Sequence, residues 1–121
     1  MVQEAGESVH ELGVVIQVVD VVEKFAKEND VEKIDTVVLQ IGELSSMIPK
    51  YVEAVYPAAT DKTLLEGTKL QIEVMPANGR CNQCENVFHL VEHDGVCPEC
   101  GSSDCDMLSG REFYIKEIVC Y

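Results

Sequence analysis

A chain of 121 residues is long enough for one compact domain or for a small domain carrying an insert. Its formal net charge of −13 repels phosphate backbones, which argues against nucleic-acid binding and fits a well-solvated surface or a partner with a basic patch. No run of about 18 apolar residues occurs and Met1–Ser8 is polar and acidic, so neither a membrane span nor a signal peptide is predicted and a cytoplasmic protein is expected.

Hydrophobic residues make up 46% of the chain and Trp is absent, so an aliphatic core is expected. Ser8-Val9-His10-Glu11 has the S-x-x-E form of a capping box. Leu12, Val15, Ile16, Val19, Val22 and Ala26 follow at helical spacing, with Val14, Val18 and Val21 widening the apolar face. They predict a helix from about Val9 to Glu28, ended by Asn29-Asp30. Thr36–Gly42 reads as a strand with Val37, Leu39 and Ile41 on one face. Pro49 suits the first turn of a second helix that places Val52, Val55, Tyr56 and Ala59 together. After a turn at Glu66-Gly67, Lys69–Met75 alternates cleanly, predicting one buried and one wet face.

Pro76-Ala77-Asn78-Gly79 breaks that pattern and opens a segment reaching to about Gly110. The segment has too little apolar content to fold on burial alone and is expected to need a metal. Glu112–Tyr121 returns to a strand, and its alternation slips near Lys116–Ile118, which signals a bulge or an edge. The order is α-β-α-β, insert, β. The fold class is therefore α+β: a small three-stranded sheet packed with two helices, plus an inserted zinc-ribbon domain. The expected division is 1–76 with 110–121 for the α/β domain and 77–109 for the zinc-binding domain.

All six cysteines lie at or beyond position 81, and four form the pattern C-x2-C-x12-C-x2-C. Clustering of this kind reads as metal ligation in a reducing compartment, not as a disulfide framework. Cys81, Cys84, Cys97 and Cys100 supply four thiolates, a closed tetrahedral set of the structural zinc kind. Gly101 permits a tight turn after the last of them. A four-sulfur site also suits iron, so a rubredoxin-like electron carrier is the main alternative, and a zinc-ribbon interaction module is another. His89 and His93 read as loop residues near the metal, Cys105 as a spare thiolate and Cys120 as a strand residue. Glu-rich stretches such as Glu23-Lys24 read as solvated helix faces. No catalytic triad, phosphate loop or open zinc site is present, so no enzyme is predicted.

His10-Glu11-Leu12 near the start of a long helix, Ile41-Gly42-Glu43-Leu44 at the end of the first strand, and a two-knuckle insert after the second strand occur together and in order. Over residues 9–121 the chain resembles the HypA/HybF family of hydrogenase maturation proteins. The resemblance implies a metallochaperone with a nickel domain and a separate structural zinc domain. It carries the family's nickel-binding His and Glu onto His10 and Glu11. It also implies as partners a nickel-loading GTPase and the [NiFe] hydrogenase large subunit precursor, with urease maturation proteins for some members, and leaves a homodimer open. Imidazole suits Ni(II), and the His10 ring and backbone amide can form one chelate.

The chain departs from the family pattern at two places. Family members begin Met-His-Glu, and their terminal amine joins the nickel ligands; here eight residues precede Val9. Valine can be encoded by GUG, an alternative bacterial start codon, so translation from Val9 would give Met-His-Glu and make 1–8 a start-site extension. Some members also use an Asp after the I-G-E stretch; the matching residue here, Ile48, cannot ligate, and Glu43 is expected only to end the strand.

Overall fold

The structure is a computed structural model that describes residues 2–121, with side chains from His10 onward. In chain order its elements are α1 (Val2–Glu28), β1 (Ile34–Gly42), α2 (Pro49–Thr60), β2 (Lys69–Met75), β3 (Asn78–Cys81), β4 (Val87–His89), β5 (Cys105–Met107) and β6 (Phe113–Cys120). They build two three-stranded sheets, ordered β2-β1-β6 and β4-β3-β5. The architecture is α+β, as the periodicities predict. The chain divides into two compact units, one of Met1–Leu39, Met47–Glu73 and Tyr114–Tyr121, the other of Gln40–Ser46 and Val74–Phe113.

In the first unit α1 begins at Val2, well before the expected start, so Ser8 does not stand at a helix N-terminus. Gln3, Glu4 and Ala5 are good helix formers, and Gly6 costs only about 1 kcal/mol. The Ser8 side chain lies outside the described residues. The buried stripe of α1 also differs from the predicted one. It runs through Glu11, Val15, Val18, Val19, Val22 and Ala26, whereas Ile16 and Val21 are 43% and 57% exposed. Helical spacing from Val15, Val18 and Val22 leads back to position 11, so Glu11 occupies a core position. The helix stops as expected: the Asn29 amide side chain donates to the Phe25 carbonyl at 2.9 Å, and Asp30 turns left-handed at φ 53°.

β1 is the central strand and is buried along most of its length, including Val37, Val38, Leu39 and Ile41. β2 and β6 are edges. In β2 the predicted alternation holds at first, with Leu70 and Ile72 half-buried against exposed Lys69 and Gln71, and breaks at Val74, which is exposed. In β6 the half-buried positions pass from Phe113 and Ile115 to Ile118 and Cys120, which is the predicted slip. The Tyr121 N–H donates to the Lys33 carbonyl and the Gly42 N–H to the Glu112 carbonyl, so β1 and β6 run antiparallel.

The second unit has a small core of Ala77, Cys81, Phe88, Leu90 and Cys97, with Cys105 packed against it. Its backbone crosses itself tightly where β1 ends. A Cβ on Gly42 would overlap the Gly110 carbonyl, and one on Gly110, which sits at φ 125°, would overlap Ala77. Gly42→Ala is therefore expected to cost about 1–3 kcal/mol in denaturant unfolding. Gly13→Ala, on an exposed turn of α1 with open space around the new methyl, is expected to stabilise by about 0.5–1 kcal/mol.

Candidate metal centre

Two short turns present the four thiolates, and their backbone bonding is the same. After the first pair, the Glu85 N–H donates to the Cys81 carbonyl at 2.9 Å and the Cys81 N–H to the Asn86 carbonyl at 2.9 Å. After the second, the Gly101 N–H donates to the Cys97 carbonyl at 2.9 Å and the Cys97 N–H to the Ser102 carbonyl at 2.8 Å. Each turn needs a left-handed residue just past its second cysteine, supplied by Glu85 at φ 66° and Gly101 at φ 77°. The sequence marks the second with glycine and hides the first, where Glu85 also pairs with Arg80 at 2.7 Å.

The four Sγ atoms all lie within 4.8 Å of one another. Cys81 and Cys100 approach to 3.5 Å, as do Cys84 and Cys97. Four sulfurs at zinc bonding distance from one centre would be about 3.8 Å apart, so the set fits a tetrahedral zinc ion. Cys81 and Cys97 are buried and Cys84 and Cys100 exposed. The N–H of Cys84 holds the Cys81 thiol below its ordinary value, helped by the Gln83 N–H against burial. Burial acts most strongly on Cys97 and opposes its ionisation. The N–H groups of Cys100 and Glu99, the Cys84 thiol and the Asn86 amide together outweigh it and bring Cys97 to about 6. For Cys84 the Asn86 N–H is the largest influence and lowers it, but Cys97, burial, Cys100 and Cys81 combine to push it up to about 12. Cys100 is raised, the pull of the Ser102 N–H being outweighed by Cys81, burial and Cys97. Each turn thus presents one sulfur whose ionisation its surroundings ease and one whose ionisation they resist.

The remaining candidate residues fall elsewhere. Cys105 lies opposite Cys81 in the β3–β5 ladder, with its thiol 3.8 Å from the Gly95 carbonyl, and is outside the four-sulfur group. Cys120 is a half-buried residue of β6. His93 stacks edge-on against Phe88 with ring centroids 6.1 Å apart. His89 ends β4 and its Nε2 meets a Glu43 carboxylate oxygen, while its Nδ1 lies 3.5 Å from Glu92. That same Glu43 oxygen accepts the Ala77 N–H at 2.6 Å. Glu43 therefore does more than end a strand: it ties the Ile41-Gly42-Glu43-Leu44 stretch to the entry of the cysteine segment. The Ala77 N–H, then His89, hold its carboxyl below the usual range, and Glu43 in turn raises His89.

In the first unit His10 is exposed and Glu11 is 1% exposed. One Glu11 oxygen accepts the Ile48 N–H at 3.0 Å, and the other has no hydrogen-bond partner among the described residues.

The family model described as hydrogenase/urease nickel incorporation, metallochaperone, HypA matches residues 9–120. The chain belongs to the HypA family. It is 38% identical over 109 residues to the hydrogenase maturation factor HypA of Geobacter sulfurreducens, covering 90% of this chain and 96% of that one. It is 36% identical to the corresponding factor of Trichodesmium erythraeum, covering 90% and 93%. Among solved structures it resembles the Ni metallochaperone HypA from Helicobacter pylori, with a TM-score of 0.62, 26% identity and coverage of 91% and 96%. A second HypA solution structure gives a TM-score of 0.70 at 27% identity, covering 93% and 97%. The HypA family acts in hydrogenase maturation as nickel metallochaperones, not as enzymes. The match includes the whole of β1, α2 and β2, which a rubredoxin-like carrier leaves unexplained. No helix of the described residues is long and apolar enough to cross a membrane.

Zinc entry must displace protons, chiefly from Cys84 and Cys100, so affinity is expected to rise with pH. Calorimetry in buffers of differing ionisation enthalpy should find protons released on zinc binding, in a number that falls as pH rises. The Glu43–His89 pair has its own signature. A raised His89 contributes stability fully below its ordinary value of 6.5 and loses it as pH rises through the folded value. A lowered Glu43 contributes fully above 4.5. Between pH 6 and 9, the thermal advantage of the zinc-loaded wild type over Glu43→Gln should therefore shrink as pH rises.

Proposed function

We propose that this protein collects Ni(II) at His10 and delivers it, with a partner GTPase, to the [NiFe] hydrogenase large subunit precursor in the cytoplasm. The observation that carries this reading is the family match, which opens at Val9 and so places His10-Glu11 at the head of the matched segment. Exposure of the His10 ring suits a cation that must be passed on. Glu11 belongs to the same site. The family description names urease beside hydrogenase, and delivery toward urease maturation is the parallel route.

The two metals need different surroundings. Four thiolates from Cys81, Cys84, Cys97 and Cys100 close off zinc and leave no position for exchange, so zinc is structural. One imidazole on an exposed helix holds nickel loosely enough for transfer. Accordingly, 1–76 with 110–121 form the nickel-binding domain and 77–109 the zinc-binding domain.

Within α1 the His10 amide is committed to the helix, because an interior amide bonds the carbonyl four residues earlier. Chelation by ring and amide together therefore requires the preceding turns to unwind. A chain that begins with Met in place of Val9 removes that requirement and adds a terminal amine.

Metal analysis and nickel titration are expected to give one zinc and one weaker nickel per chain. His10→Ala should abolish nickel binding while zinc content and circular dichroism stay unchanged, and the chain beginning at position 9 should bind nickel more tightly than the full chain. Undiminished nickel affinity in His10→Ala would sink the proposal.

A further inference from the structure

We infer that Glu11 is a positioning residue of the nickel site: by accepting the Ile48 N–H it fixes the turn of α1 that carries His10 against the start of α2. The inference rests on the reading of His10 as the nickel residue and adds how that residue is held.

Three observations converge on Glu11. It lies on the buried stripe of α1 at 1% exposure, where a carboxylate is costly unless something specific holds it. Its Oε2 receives the Ile48 N–H at 3.0 Å, across 37 residues of sequence. α2 lacks any cap of its own, because Ile48 makes no side-chain capping bond and Pro49, at the next position, has no N–H. The Glu11 carboxylate thus stands at the positive end of α2, where negative charge is favoured.

Consecutive helix residues point about 100° apart, so a buried Glu11 leaves its neighbour His10 facing solvent. Oε2 is taken up by the Ile48 N–H, and Oε1 is buried away from solvent with no hydrogen-bond partner among the described residues. The action of the carboxylate on nickel is indirect: it holds one turn of α1 at a set angle and keeps the His10 ring presented.

The test is nickel titration of Glu11→Ala, Glu11→Gln and Ile48→Pro beside wild type and His10→Ala, with Tm and the absorption spectrum of bound nickel recorded for each. Glu11→Ala is expected to weaken nickel binding about tenfold, the usual scale for losing a group that orients a ligand. Glu11→Gln, whose amide oxygen can still accept the Ile48 N–H, should return affinity to within about threefold of wild type. Ile48→Pro deletes the donor without touching Glu11, and the φ of −90° at Ile48 lies near the range of proline. It should weaken binding as Glu11→Ala does, and it decides the matter if Glu11→Ala does not fold. The spectrum of bound nickel should match wild type in the Glu11 and Ile48 variants. A lower Tm with unchanged nickel affinity in both Glu11→Ala and Ile48→Pro would overturn the inference and leave a plain helix cap. A shifted spectrum and lost binding in Glu11→Gln would overturn it in favour of Glu11 as a ligand. Wild-type nickel binding by His10→Ala would instead remove the functional reading beneath it.

Discussion

Convergence of four sulfurs on one point is the constraint that organises the second unit. Two of the five residues in its buried core are themselves the sulfur donors Cys81 and Cys97, and a third is only Ala77. Phe88 and Leu90 cannot offset the chain entropy of some forty residues by burial alone. The geometry of the two turns follows from the need to aim the thiols. Glu85 accepts a left-handed backbone, which costs a non-glycine residue about 1–2 kcal/mol, because that conformation turns the chain back so that the Asn86 carbonyl meets the Cys81 N–H. The ligand-bearing β3 stands at the centre of its sheet, paired with β4 on one side and β5 on the other, so both neighbours depend on the cluster for their register.

Most of the architecture was legible in local pattern, because helices, strands and knuckles announce themselves within a few residues. Lys69–Met75 is the strand that alternation predicts, Pro49 does open α2, and the slip near Lys116 marks a real change of face in β6. The cysteine spacing held the whole metal centre, since each pair is bonded within its own turn. What escaped were features set by partners far along the chain. The alternation of β2 holds at Leu70 and Ile72 but not at Val74, whose exposure depends on what the fold brings over that end of the strand. Hydrophobicity alone carries the apolar face of α1 through Leu12 and Ile16, although its buried register continues to Glu11. The S-x-x-E motif predicts a start at about Val9, which the helix formers before it override.

The separation of the two metal environments has a chemical reason. A thiolate cage in which two sulfurs are already poised to ionise binds zinc strongly and gives it no route out. Cargo requires the opposite: few donors, an exposed approach and a frame that stays folded when the metal leaves. In the proposed reading, His10 on a helix packed through Val15, Val19 and Val22, and not through nickel, meets that need. The acidic surplus of the chain adds a diffuse attraction for cations but no donor geometry, so the proposed reading rests selectivity on the imidazole.

Part of that acidity does work that composition cannot reveal. Glu11 accepts the Ile48 N–H, Glu43 the Ala77 N–H and Glu23 the Leu64 N–H, across 37, 34 and 41 residues of sequence. Glu23, expected on a solvated helix face, instead ties α1 to the loop after α2. At the first two junctions a proline is adjacent: Pro49 follows Ile48, and Pro76 precedes Ala77. Proline stops the incoming regular structure and removes a donor, which leaves the neighbouring N–H without a ladder partner. A carboxylate on a distant element satisfies it more strongly than a neutral acceptor would, since hydrogen bonds to charged groups are about twice as strong. The same device thus fixes the entry to α2, beside His10, and the entry to the cysteine segment. A glutamate beside a functional motif is therefore explained by the backbone it holds before any metal is invoked, as Glu11 and Glu43 both show.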